Sequence, residues 1–270
     1  MKILGVDFTS APRRAKPITV AHGLFDRNLL RIETIGGLES FPEFEALLRS
    51  AGPWIGGFDF PFGLPREAID ALGWPTEWVE LTRHCSRLGK AEFKRQLDAY
   101  RETRPPGNRY ATRRGDAMSG AHPAVKLVNP PVGLMFFEGA ARLAAAGLEV
   151  PCLSAGDKTR VALEAYPGLL IRKHLGIAAP YKNDSRGKQT AAHQAVRKQV
   201  IRAIKAGRPH GIGVRLPESV ERQMTDDPSG DSIDAAICAL QASTGQQCGA
   251  PRYGLPEDVD SIEGWIVTAR

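Results

Sequence analysis

Two aspartates stand where a core strand should finish. In "MKILGVDFTSAP" the apolar residues Ile3, Leu4 and Val6 read as a short buried strand, and Asp7 closes it. About fifty residues later "WIGGFDFPFGLP" repeats the pattern, Gly-x-Asp-Phe, with Asp59 in the closing position. A carboxylate at such a place is costly unless it meets a cation, a donor or an exposed edge. Asp231 and Asp234 open the helical run "GDSIDAAICALQAS", and Glu164 follows the apolar part of "RVALEAYPG". Carboxylates brought together repel by about 1–4 kcal/mol at 4 Å, depending on screening. A divalent cation removes that repulsion, and Mg²⁺ or Mn²⁺ takes hard oxygen ligands. Two such ions about 3.5–4 Å apart can activate water and stabilise the leaving oxygen of a phosphodiester. Asp7, Asp59, Asp231 and Asp234 are therefore the candidate metal ligands, for two Mg²⁺ or Mn²⁺ ions. With Glu164 they form the candidate catalytic set.

Each acid also has a plainer reading. Asp7 and Asp59 suit salt-bridged strand ends. Asp231 suits the N-cap of its helix and Asp234 the first turn, where the helix dipole favours acids. Glu164 suits the partner of a nearby Arg or Lys.

The elements that must position these residues read as an α/β arrangement. "KILGVDF" is a strand, "PITVAHGLF" and "NLLRIETI" a hairpin, and "FPEFEALLRS" a helix with Ser40 as N-cap. "PWIGGFDF" is the next strand. A right-handed crossover lays it parallel to the first. Asp7 and Asp59 then share the C-terminal edge of the sheet, where open α/β sheets bind ligands. "PFGLP" is a rigid exit turn after Asp59. Further on, "RVALEAYPG" is a strand ending near Glu164, "RGKQTAAHQAVRKQVIRAIKAG" a long basic helix, and "EGWIVTA" a closing strand.

The 270 residues suit one domain, with 75–125 as an inserted helical and loop segment. No run approaches the roughly 18 apolar residues of a membrane helix, and the N-terminus shows no signal-peptide pattern. Four scattered cysteines read as reduced thiols without a structural zinc, which points to the cytoplasm. Charge is unevenly placed. Eleven Lys and Arg face four acids between Arg83 and Lys126, and nine face one between Lys182 and Arg215. Such blocks suit nucleic acid or another phosphate-bearing substrate, though solvated helical faces give the same count. Arg104, Arg109, Tyr110, Arg113, Arg114, Lys188 and Arg197 are the candidate nucleic-acid contacts, with Tyr110 placed to stack on bases. Thr9, Ser10 and His122 are further candidates for phosphate. Tyr166 reads as core and His193 as surface. The sequence does not set the oligomeric state.

Asp on the first strand, a hairpin, a helix, a strand ending in Asp and Asp on the last helix together resemble the RNase H-like fold. More narrowly, "GVDF", "GFDFPFGLP", "LEAYPG", "DSIDAAICALQA" and "EGWI" resemble the predicted RNase H-like nuclease family classed as domain of unknown function 429. The resemblance implies an α/β fold with a mixed five-stranded sheet flanked by helices. It also implies acidic metal-binding residues at Asp7, Asp59 and the last-helix aspartates, less firmly Glu164, and nuclease activity by analogy of fold. Two other functions fit parts of the chain. One is a nucleic-acid-binding module whose acidic site is structural. The other is an ATP-dependent kinase of the actin-like fold, since "GVDFTS" is close to that group's phosphate-loop strand. That group's second phosphate loop and Gly-rich adenosine loop have no counterpart here.

Overall fold

The computed structural model describes residues 1–183 and 189–269. Its centre is a mixed sheet built on β1 (Lys2–Asp7), β2 (Ile18–Asp26), β3 (Leu29–Leu38), β4 (Trp54–Asp59) and β6 (Asp157–Glu164). Two short strands, β5 (Leu148–Glu149) and β7 (Gly213–Arg215), complete it in the order β5-β6-β4-β1-β2-β3-β7. Seven strands among the described residues replace the five expected. The two extra ones lie at the edges and are too short for alternation to reveal them. β1 pairs antiparallel with β2 and parallel with β4, as the crossover argument requires. β2 alone, among the described strands, runs against the others.

Alternation along the strands gives the sheet two covered faces. Leu4, Val6, Phe8, Trp54 and Phe58 point to an aromatic core shared with Phe44 of α1 (Phe41–Leu48). α3 (Trp78–Thr103) and α5 (Val132–Ala145) add Trp78, Phe93 and Phe136 to that core. The basic 75–125 segment thus supplies a core layer, and most of its cations lie on the outer side of α3 and in the following loop. Between α1 and α3 lies the short α2 (Arg66–Leu72), and α4 (Arg114–Ser119) precedes α5. Ser40 caps α1, its hydroxyl accepting from the Glu43 N–H.

The other face packs against α9 (Asp231–Cys248), with α7 (Ala191–Lys205) and α8 (Glu218–Asp226) beyond it. A single turn, α6 (Pro167–Leu169), follows β6. α7 starts at Ala191, later than the basic run suggests. Thr190 caps it, and His193 closes a capping box, its Nδ1 accepting from the Thr190 N–H at 3.1 Å. The closing strand expected at "EGWIVTA" does not form. Ile266 makes one isolated bridge to Glu164, and the Trp265 indole donates to the Ala269 carbonyl, folding the segment into a turn. No helix among the described residues is long and apolar enough to cross a membrane.

Candidate active site

β1 and β4 run in register with Asp7 opposite Asp59 and Gly5 opposite Gly57. Adjacent strands lie about 4.8 Å apart, so the two carboxylates leave the sheet side by side. Each aspartate stands two residues after its glycine and therefore on the same face, the face covered by α9. The glycines explain how close α9 comes. A Cβ on Gly5 would sit 2.0 Å from the Ala235 carbonyl oxygen and 2.3 Å from the Ala239 nitrogen, and one on Gly57 would sit 2.2 Å from the Cys238 carbonyl oxygen. Only residues without a side chain let the helix backbone rest on these strands. Gly-x-Asp is thus one device: the glycine seats α9, and the aspartate projects just past the seat. Asp231 and Asp234, in the first turn of α9, are brought to the same place.

Asp231 does not cap its helix. Gly230, with φ 76°, holds the N-cap position. Asp227 does the capping, accepting from the Ser232 N–H at 2.8 Å and the Ser229 N–H at 3.0 Å. This leaves the Asp231 carboxylate on the wall of a cleft of about 1590 Å³ that Asp7 and Asp59 also line. Asp234 is buried, 1 % exposed. Tyr181 Oη donates to its Oδ1 at 2.6 Å, and the Lys182 ammonium pairs with its Oδ2.

The carboxylates at the two strand ends lack such partners. Among the described residues, those of Asp7 and Asp59 take no hydrogen bond and form no ion pair. Burial pushes Asp7 well above the usual carboxylate range, and Asp231 and Asp234 add to it. Burial, then the charge of Asp234, pushes Asp59 up to about 8. Asp231 is also raised by burial, with Lys16 and Lys182 opposing. Two desolvated carboxylates without donors are a place for a cation. Among the described residues, no group of three or more His, Cys, Asp or Glu is drawn together to hold a metal by itself. Mg²⁺ does not require one, since one or two carboxylates, waters and substrate phosphate often suffice.

Glu164 lines the same cleft but is already partnered. Arg113 grips it bidentately, Nη1 to Oε2 at 2.9 Å and Nη2 to Oε1 at 2.6 Å, and the Phe62 N–H donates to Oε2 at 2.9 Å. Arg113 also holds Asp116 at 3.0 and 2.6 Å. The plainer reading of Glu164, as the partner of a basic residue, is borne out. Arg113 is correspondingly removed from the surface role expected of it: its side chain is 2 % exposed. Replacing Arg113 with methionine leaves two buried carboxylates without their cation. The expected loss is about 3–5 kcal/mol in urea unfolding. Arg114→Met, at an exposed pair with Asp258, is expected to cost under about 1 kcal/mol. Equal midpoints for the two variants would contradict this division.

The other expected nucleic-acid contacts are spread out. Arg104 binds Glu67 and the Tyr100 hydroxyl, Arg109 faces Glu102 at 3.2 Å, and Arg114 lies over the Trp265 ring at 5.4 Å. Tyr110 packs half-buried on the aromatic core. None of these four lines the cleft. Arg197 is buried and donates to the carbonyls of Thr225 and Tyr181, each at 2.8 Å, so it braces the chain rather than offering a surface cation. Lys188 lies outside the described residues.

Of the cations that line the cleft, Arg113 is spent on Glu164 and Asp116; the others are Arg13, Arg14, Lys16 and Lys182, along with the expected Thr9, Ser10 and His122. Arg13, Arg14 and Lys16 are exposed on the β1–β2 loop, and no described carboxylate pairs with them. The sequence signal for them is "APRRAKP", set directly after the Asp7 strand.

A family model described as "Protein of unknown function (DUF429)" matches residues 5–258. The chain belongs to the DUF429 family. The match opens at Gly5, the first of the two seating glycines, and closes beyond α9, so the whole carboxylate site lies within the DUF429 region. No curated protein and no solved structure matches this DUF429 chain.

Proposed function

We propose that the protein is a metal-dependent phosphodiester hydrolase acting on nucleic acid, built on an RNase H-like plan. The observation that carries this reading is the register of Asp7 against Asp59 at the open sheet edge, with Asp231 presented beside them. The strand order supports the plan: β1 is flanked by the antiparallel β2 and the parallel β4, and β3 and β6 extend the sheet outward. Asp7 and Asp59 would hold Mg²⁺ or Mn²⁺, with Asp231 on the wall of the same cleft, and the ion would supply charge to a phosphate and acidity to bound water. The chain's own residues do the rest. Arg13, Arg14 and Lys16 offer unpaired charge to a phosphate backbone along the cleft lip. The cleft is larger than the 300–1,000 Å³ usual for small ligands, which suits a polymer.

A second reading, binding without cleavage, draws on Lys182, whose ammonium already neutralises Asp234. One assay separates the two. Labelled single- and double-stranded DNA, single-stranded RNA and an RNA–DNA hybrid are incubated with the protein and Mn²⁺. Cleavage of at least one is expected, with a loss of 10³-fold or more in Asp7→Asn while its binding stays equal or tightens. Tight binding with all four polymers intact would leave only the binding module. Neither binding nor cleavage would remove both readings.

A further inference from the structure

The cation found among these carboxylates belongs to the chain. We propose that Lys182 is the built-in second cation of the site, so that Asp7 and Asp59 take one divalent ion and not two. This rests on the metal-dependent reading above.

Lys182 is held in place from several sides. Its ammonium bonds Asp234, whose side chain is 2 % exposed against 34 % for the lysine. Tyr181, the residue before it, donates to the other oxygen of the same carboxylate at 2.6 Å. The buried Arg197 binds the Tyr181 carbonyl at 2.8 Å and the Thr225 carbonyl at 2.8 Å, tying this segment to α8. Gly230 leaves room for it at the start of α9. A Cβ there would meet Lys182 Cδ at 2.9 Å and Tyr181 Cε2 at 3.0 Å. A solvated surface lysine has no such bracing.

The division of ligands follows. Asp234 already has both oxygens engaged, whereas Asp7 and Asp59 have neither donor nor ion pair among the described residues. A divalent ion between Asp7 and Asp59 meets free oxygens. A second one at Asp234 has to displace an ammonium within hydrogen-bonding distance, or bear its repulsion at low dielectric. The positive charge that a second metal ion would bring to a bound phosphate is therefore supplied by Lys182.

The test counts Mn²⁺ bound per chain in the full-length protein without nucleic acid, by calorimetric titration and by the loss of free-Mn²⁺ spin resonance. One ion is expected for wild type, one for Lys182→Arg, which keeps the charge, and two for Lys182→Met. Lys182→Gln replaces the methionine variant if the latter does not fold. Two ions in wild type, or a Lys182→Met count no higher than wild type, overturns the inference and leaves the metal-dependent reading standing. No ion in any variant overturns both.

Discussion

Gly5→Ala is expected to destabilise the protein by about 3–5 kcal/mol and to remove the proposed metal-dependent activity from whatever fraction folds. The added Cβ would lie 2.0 Å from the Ala235 carbonyl oxygen and 2.3 Å from the Ala239 nitrogen. Both are helix backbone atoms, so no side-chain rotation relieves the contact. Either α9 lifts from β1 or the strand bends. Overpacking in a core costs about 1–3 kcal/mol when side chains can adjust. With backbone on both sides the cost belongs at or above the top of that range, among the large effects that have a named cause. Lifting α9 also withdraws Asp231 and Asp234 from Asp7 and Asp59, so the proposed activity should fall for the same reason that stability does. Gly36→Ala is the control. It also lies in a strand, but a Cβ there meets nothing within 4 Å, and a change within about 0.5 kcal/mol is expected. Urea unfolding of both variants decides the matter. A Gly5→Ala midpoint equal to that of Gly36→Ala would remove the idea that glycine seats the helix.

That device shows where the sequence is informative. Gly-x-Asp occurs twice, each time closing a short apolar run, and alternation and crossover handedness suffice to put Asp7 beside Asp59. The register pair confirms that placement. The glycines carry a further signal, because a glycine inside a strand marks a close backbone approach. The acids of α9 are legible as residues, but the capping role their positions suggest is not theirs. Asp227, four residues before Asp231 and outside the helical pattern, does that work.

What stays hidden depends on contacts distant in sequence. Arg113 and Glu164 are 51 residues apart and meet in the interior, so a basic loop that looks like a polyanion surface conceals a core ion pair. Lys182 reaches Asp234 across 52 residues. Charge counted over long windows favours residues 83–126 and 182–215 and averages away Arg13, Arg14 and Lys16, whose three charges face the cleft. β5 and β7 have two and three residues, fewer than a period-two pattern needs to declare itself. "EGWIVTA" has strand-forming residues yet bends back on itself, since local composition does not set the partner that a strand requires.

The pairing of Asp7 with Asp59 has a cost that can be measured without any substrate. In metal-free buffer with chelator, Asp59→Asn is expected to be more stable than wild type at pH 8 and equal to it near pH 4. Asp59 titrates at about 8 in the folded protein, raised first by burial and then by the charge of Asp234. In the unfolded chain an aspartate titrates near 3.9. Between these values the folded state holds a proton that the unfolded state has lost, so wild-type stability falls as pH rises from about 4 to about 8 and is level above. Each tenfold change in proton affinity between the two states corresponds to about 1.36 kcal/mol. The full difference gives an upper bound of about 5–6 kcal/mol, which the open cleft beside a half-buried carboxylate reduces to roughly 2–3. At about 2–4 °C per kcal/mol for a chain of this size, the variant should melt about 4–12 °C above wild type at pH 8. Asparagine has the same shape and no charge, so it removes the penalty without making a cavity. Adding Mn²⁺ should then raise the melting temperature of wild type and leave Asp59→Asn unmoved, because binding to the folded state alone adds stability in proportion to the logarithm of ion concentration. A variant less stable than wild type at pH 8, or a difference that does not shrink by pH 4, would mean that Asp59 is a structural partner and not a ligand waiting for its cation. The expected pattern has the opposite meaning: the fold carries an electrostatic strain at this edge that an ion relieves.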